Sequence, residues 1–157
     1  GRYLFQVAGR IDQIDPQAVF GLFTWDTDPA AYNREIDFEF SKWGDPDAST
    51  NAQYVVQPFN ITDPQHKHEF ELILTGEYTT HVLYWSATEI KFETYGGHHS
   101  LDDLPDPPLQ EWIYLGTPPS PGNAKIRMNF YLYDGLDPKD GLEQELVIKA
   151  FQYSSDL

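Results

Sequence analysis

The segment REIDFEFSKW, Arg34 to Trp43, alternates acidic and apolar side chains over six consecutive positions, with Glu35, Asp37 and Glu39 separated by Ile36, Phe38 and Phe40. Side chains in an extended strand point alternately to its two faces, so the three acids share one face and the three apolar residues face a core. Two readings follow. A solvated strand face is one, although such a face normally mixes Thr, Lys and Gln among its acids. A working site is the other, because like charges at neighbouring positions on one strand destabilise each other unless protons are shared.

Outward from this segment the same period continues. Tyr3 to Ile11, Ala18 to Trp25, Ala52 to Phe59, Glu69 to Leu74, Thr80 to Trp85, Glu89 to Tyr95, Lys125 to Tyr133 and Gln144 to Tyr153 are β-branched or aromatic and mostly alternate, giving nine strands with the acidic one. Turn chemistry separates them at DTDPAAYN, WGDPDAST, NITDPQ, TGEY, YGGHH, TPPSPGN and DGLDPKDG. No stretch of ten residues carries helical spacing. These features predict an all-β antiparallel sandwich in a single domain over 1–157. Residues 98–112, rich in Pro and Asp, are expected to form a long surface loop.

Of 157 residues, 40% are apolar and 15% aromatic, enough for one sizeable core. Ten basic against 25 acidic residues leave a formal charge of −15, which repels nucleic acid phosphates and anionic membrane surfaces. No apolar run approaches the ~20 residues of a membrane-spanning helix. The absence of cysteine excludes disulfides, thiolate zinc sites and a cysteine nucleophile. The chain opens on Gly1 with no basic and apolar leader pattern, so any secretion signal is expected to have been removed or to lie outside this sequence, and location is an inference from function.

Paired carboxyls are the working groups of glycoside hydrolysis, one ionised at the anomeric carbon and one protonated toward the leaving oxygen. Crowding creates the difference between them, since the first to ionise raises the pKa of its neighbours. On an ideal strand the backbones of Glu35 and Glu39 lie about 13 Å apart. Their side chains must therefore lean together to approach the ~5–5.5 Å of a retaining pair.

EIDFE resembles the Glu-x-Asp-x-Glu signature of glycoside hydrolase family 16, the β-glucan hydrolases and transglycosylases. Its surroundings are also similar to that family. GRYLFQVAGR resembles the strand beginning Tyr-Gly-x-Tyr, FGLFTWD a Phe-rich strand, NAQYVVQ the strand carrying a binding Gln, THVLYW the His-x-x-x-x-Trp strand and MNFYLYDG the Met-Asn-Leu-Trp strand. The resemblance implies a concanavalin A-like jelly roll lacking the usual N-terminal strands. It also implies an endo-acting, retaining enzyme in which Glu35 is the nucleophile, Glu39 the general acid/base, and Asp37 the carboxyl between them. The uninterrupted spacing resembles the lichenase and xyloglucan branch, whose strand lacks a β-bulge.

Sugar rings stack on flat apolar surfaces, and Phe23 with Trp25, and Tyr131 and Tyr133 with Asn129, share strand faces that suit such stacking. By resemblance Phe23, Trp25, Gln53, Asn129 and Tyr131 are substrate-binding positions, with Trp43 and Tyr133 bordering them. Each is also readable as an ordinary core or surface residue, while Trp85 and Trp112 read as core. The histidines, His66, His68, His81, His98 and His99, lack the ligand spacing of a metal site and read as surface residues, His81 as structural. No cofactor is expected. Relatives in the family carry a structural Ca²⁺ held partly by an Asp, and Lys149 stands at the comparable position, which argues against the ion here. The expected partner is a polysaccharide, met outside the cell or in the periplasm. A sheet edge left open by the missing strands invites a second copy or a partner chain. The alternatives to the enzyme are a non-catalytic carbohydrate-binding module and a structural domain whose acidic strand is only surface.

Overall fold

The computed structural model describes residues 1–61 and 65–156. Residues 62–64, within the turn expected at NITDPQ, lie outside the described residues. Ten strands are present among the described residues: β1 (Arg2–Ala8), β2 (Ala18–Trp25), β3 (Ile36–Phe40), β4 (Ala52–Val56), β5 (Lys67–Phe70), β6 (Tyr78–Trp85), β7 (Ile90–Gly96), β8 (Gln110–Tyr114), β9 (Lys125–Leu132) and β10 (Val147–Ser154). The helical segments are short 3-10 turns at Ile11–Gln13, Pro29–Arg34 and Tyr133–Gly135. The strands form two five-stranded antiparallel sheets, consistent with the predicted β-sandwich. They divide between two compact units, Asp12–Leu72 with Pro119–Gln144, and Gly1–Ile11 with Ile73–Pro118 and Glu145–Leu157.

In the first of these units the strand order is β5-β4-β3-β2-β9, so the acidic strand is central and paired on both sides. Its pairing with β2 and β4 runs without a register shift, Phe38 facing Leu22 and Tyr54, and Glu39 facing Gly21 and Gln53. Alternation fixes this register. Ile36, Phe38 and Phe40 are at most 1% exposed, and the Phe38 ring meets Tyr54 edge-on at 5.2 Å while Phe40 stacks on Phe20 at 5.8 Å. His66, expected at the surface, is instead buried, with Nδ1 2.7 Å from the Val56 carbonyl. That bond satisfies a backbone group where β4 ends. At the other end of the sheet, β9 closes the strand order beside β2, and Met128 and Phe130 are partly exposed.

In the second unit the order is β10-β1-β6-β7-β8. Tyr3, Phe5 and Val7 share a face with Leu83, His81 and Thr79 opposite them, and on that face Phe5, Val7, Leu83, Ile90 and Phe92 are buried. His81 bridges Thr94 Oγ1 at 2.9 Å and Thr79 Oγ1 at 3.0 Å. Burial pushes its pKa down to about 3, so it stays neutral. The opposite face carries a small core of Leu4, Val82 and Tyr95 against which Leu101 and Leu104 pack. On that face Glu93 is buried and accepts from Tyr95 Oη at 2.6 Å and Lys91 Nζ at 2.8 Å.

Two expectations change here. The segment 98–112 is no plain surface loop: it is tied down at His99, whose carbonyl accepts from Gln6 Nε2, and it ends in β8, a strand hidden in the sequence by Pro105, Pro107 and Pro108. Trp112, expected in the core, is only half-buried, stacked on Phe92 at 5.4 Å, because β8 is the last strand of its sheet. Trp85 is buried as expected. Replacing Phe38 by Ala removes a fully enclosed ring and should cost about 3–5 kcal/mol, read as a lowered urea midpoint at unchanged slope.

Candidate active site

The acids stand on the face of β3 opposite its buried ring residues. Directly paired residues share a face, so two rows cross the sheet: Glu69, Gln53, Glu39, Gly21 and Asn129, then Lys67, Val55, Asp37, Phe23 and Arg127. Glu35 sits one residue ahead of β3, in extended conformation at φ −84° and ψ 124°.

Its backbone is fixed from several directions. Thr24 Oγ1, buried on β2, donates to the Arg34 carbonyl at 2.7 Å and accepts from the Ile36 N–H at 3.1 Å, spanning Glu35. The Glu35 carbonyl accepts from Gln57 N at 3.0 Å, and the Glu35 N–H donates to the Tyr32 carbonyl at 3.3 Å. The chain reaches this point through three successive left-handed residues, Tyr32, Asn33 and Arg34, with φ of 49°, 56° and 49°. Such conformations are costly outside glycine. An ion-pair anchor offsets them: Arg34 Nη1 lies 3.0 Å from Asp26 Oδ2 and 3.2 Å from Asp28 Oδ2. Asp26 is held below the usual carboxylate range, chiefly by the Asn123 N–H donating to it and then, against the effect of burial, by the Arg34 guanidinium. Gly122 is needed beside this pair, because a Cβ there would come within 2.5 Å of Arg34 Nε.

The three carboxyls differ in proton affinity. Glu35 is pushed up to about 7, mainly by burial and then by the charge of Glu39. Asp37, buried, is raised well above the ordinary aspartate range by burial, then by Glu39 and Glu35, while Gln57 Nε2, 3.5 Å from Oδ2, works weakly in the other direction. Glu39 is raised by burial, but Gln53 Nε2 donates to its Oε2 at 2.7 Å and Lys67 attracts its charge, both opposing the rise. Burial raises all three, and Gln53 and Lys67 oppose that rise at Glu39.

Of the other residues singled out in the sequence, Gln53 contacts Glu39 directly. Phe23 and Trp25 are half-buried on the acid face, and Asn129 lays its amide over Gly21 in the row of Glu39, where any Cβ at position 21 would collide with it. Tyr131 is 44% exposed, and its phenol is raised by burial and then by the charges of Glu39, Tyr133 and Asp37, which places it near the trio. Tyr133 lies beyond the end of β9, in the 3-10 turn, so it does not continue the strand face of Asn129. Its ring instead meets Trp43 edge-on at 5.8 Å. Trp43 takes a left-handed φ of 51°, held by Ser41 Oγ, which accepts from its N–H at 2.8 Å.

Thr24, Gln57, Lys67 and the Arg34–Asp26 pair were not found from sequence. Gln57 shares the face of Gln53 four residues earlier, a signal that was readable. The others depend on cross-strand register.

No family model matches the sequence, and no curated protein matches it significantly. A crystal structure described as that of a native glycosidic hydrolase is similar to this chain, with a TM-score of 0.50 at 22% identity over 88% of this chain. The chain spans about three fifths of that structure's length, 59%. The similarity is one of fold.

A carboxyl with a folded-state pKa above its unfolded value binds more protons folded than unfolded between the two values, so its contribution to stability is lost as pH rises through the upper one. For Glu35 that window runs from the ordinary glutamate value to about 7. The variant Glu35→Gln should therefore match the parent near pH 4.5 and exceed it at pH 8 by about 1–2 kcal/mol, after discounting for partial solvent access. Urea melts across that range measure the difference.

Proposed function

We propose that the protein is a retaining glycoside hydrolase of the family 16 type, endo-acting on a β-glucan or related polysaccharide and able to pass the glycosyl group to water or to a second sugar. One observation carries the reading. Three carboxyls share one face of a central strand and hold their protons unequally, with half-buried aromatics beside them. The fold similarity to a glycosidic hydrolase supports it.

In the proposed double displacement, one carboxylate attacks the anomeric carbon while a carboxylic acid gives its proton to the departing glycosidic oxygen. The resulting ester is then attacked by water, whose proton returns to the second carboxyl. By the family resemblance Glu35 attacks and Glu39 is the acid/base. The unliganded electrostatics lean the other way, since Gln53 and Lys67 favour ionised Glu39 while Glu35 retains a proton to about 7. The assignment therefore requires a proton to pass from Glu35 to Glu39 once substrate has displaced water. Asp37, whose own ionisation both glutamates oppose, is the group through which that redistribution is tuned. This chemistry needs no cofactor. A polymeric substrate places the protein outside the cell or in the periplasm.

Turnover of an aryl β-glycoside with added azide separates the roles. Glu35→Gln should lose at least about 10²–10⁴-fold in kcat, and Glu35→Gly with azide should release an α-glycosyl azide. Glu39→Gly with azide should give the β-anomer. Exchanged anomers reverse the two roles, and binding of barley β-glucan, laminarin, xyloglucan, agarose or carrageenan without any turnover makes the protein a carbohydrate-binding module.

A further inference from the structure

The two outermost strands of the sheet that carries the acids are built differently. β5 is four residues long and bears the Lys67–Glu69 ion pair at 3.0 Å, the short and charged form that keeps an edge from pairing. β9 runs eight residues along β2 without a register shift, and from Met128 to Tyr133 it carries no charge. The equally long β10, last in the order of the other sheet, pairs with β1 through a shift at Gln6/Val7, and such irregularities also blunt an edge. A long, flat, uncharged edge is the form that accepts another strand.

The direction of the backbone groups on β9 follows from one bond. Tyr133 N donates to the Gln17 carbonyl at 2.8 Å, so Tyr133 and, at two-residue steps before it, Tyr131, Asn129, Arg127 and Lys125 turn their backbone groups toward β2. Ile126, Met128, Phe130 and Leu132 turn theirs outward. Among the described residues one protein group meets these outward groups, the Arg127 guanidinium, which donates to the Ile126 carbonyl at 3.3 Å. The same four residues carry the apolar side chains of the strand, opposite Thr24, Leu22, Phe20 and Ala18, and Met128 and Phe130 are 39% and 38% exposed. Unpaired backbone and uncovered apolar surface thus coincide on the same residues.

We infer that β9 pairs with β9 of a second copy, antiparallel about a two-fold axis at Asn129. In that register Ile126 meets Leu132 of the second copy and Met128 meets Phe130, so all four apolar residues find apolar partners. Centring the axis on Met128 instead sets Leu132 against Ala124, and centring it on Phe130 sets Ile126 against Asp134. The four outward residues then form close pairs worth about eight backbone hydrogen bonds. Charge agrees with the same arrangement. The strand enters on Lys125 and Arg127 and leaves toward Asp134, Asp137 and Asp140, so antiparallel pairing lays the cationic start of each copy beside the acidic end of the other. Arg127 falls opposite the Tyr131 ring, a cation over an aromatic. Pairing of this self-complementary kind closes at two copies. Two chains of charge −15 repel, but at 0.15 M salt that repulsion is screened beyond about 8 Å, whereas contact pairs persist. The two acid faces then continue across one sheet, with their β3 strands five spacings or about 24 Å apart. This pairing does not depend on whether the acids turn over a sugar.

Sedimentation of the 157-residue protein in 0.15 M salt should give twice the 18.1 kDa of one chain at about 100 µM and a lower mass on dilution. The chain has no cysteine, so a single introduced thiol reports the register. Asn129→Cys places two Cα atoms about 4.5 Å apart across the axis, within disulfide reach, whereas Arg127→Cys leaves them about 13 Å or more apart. Mild oxidation should cross-link the first at least about tenfold faster than the second. Met128→Pro removes an outward N–H without touching the β2 ladder, and should be monomeric with the parent's circular dichroism. A parent that stays monomeric at about 100 µM overturns the inference. So does equal cross-linking of the two cysteine variants, or a folded Met128→Pro that still dimerises. If Met128→Pro fails to fold, the cross-linking ratio alone decides.

Discussion

A slip of one residue in the pairing of β3 would turn Phe38 to the outside and carry three carboxyls into the apolar interior. That prohibition organises the acid face. Ile36, Phe38 and Phe40 each bury a large side chain, and each makes the slipped register more costly. Because β3 is flanked by β2 and β4, the same register places Gln53 and Gly21 opposite Glu39 and Phe23 and Val55 opposite Asp37. The chemistry of the acid face is thus held in place by the apolar residues of the other.

The opposite requirement operates on the exposed side. Three acids brought together raise one another's proton affinity, and burial of Asp37 raises it further. Left uniform, such a cluster would simply stay protonated. Gln53 and Lys67 break the symmetry by favouring charge on Glu39, a push that neither gives to the other two carboxyls. Acid/base work needs that asymmetry. Gln53 and Lys67 stand on β4 and β5 of the same sheet, where register fixes them as firmly as it fixes the acids.

Alternation made most strands legible, and the acid trio with them, because a two-residue period survives any choice of pairing partner. Gln53 was legible only through resemblance. Its hydrogen bond to Glu39 depends on which residue of β4 lies opposite, and no local pattern states that. Lys67 and Thr24 were missed for the same reason. Strand β8 was hidden because Gln110 to Tyr114 follows three prolines and offers only five residues of pattern. Trp112 and His66 exchanged expected environments because burial follows position in the sheet. An aromatic on the last strand stays partly open, and an imidazole whose ring N–H donates to a strand-end carbonyl is drawn inside.

The left-handed run before Glu35 bears on how the protein tolerates change. Three consecutive non-glycine residues at positive φ carry on the order of 1–3 kcal/mol each of unfavourable backbone conformation. Glycine at Asn33 would relax part of that load in the folded state and at the same time widen the range of angles from which the chain enters β3. Stabilising drift at this bend therefore trades against aim: substitutions that ease the backbone loosen the approach of a carboxyl that Thr24 and Arg34 otherwise hold. The Arg34 ion pairs hold the bend, and its backbone sets the direction from which Glu35 is presented.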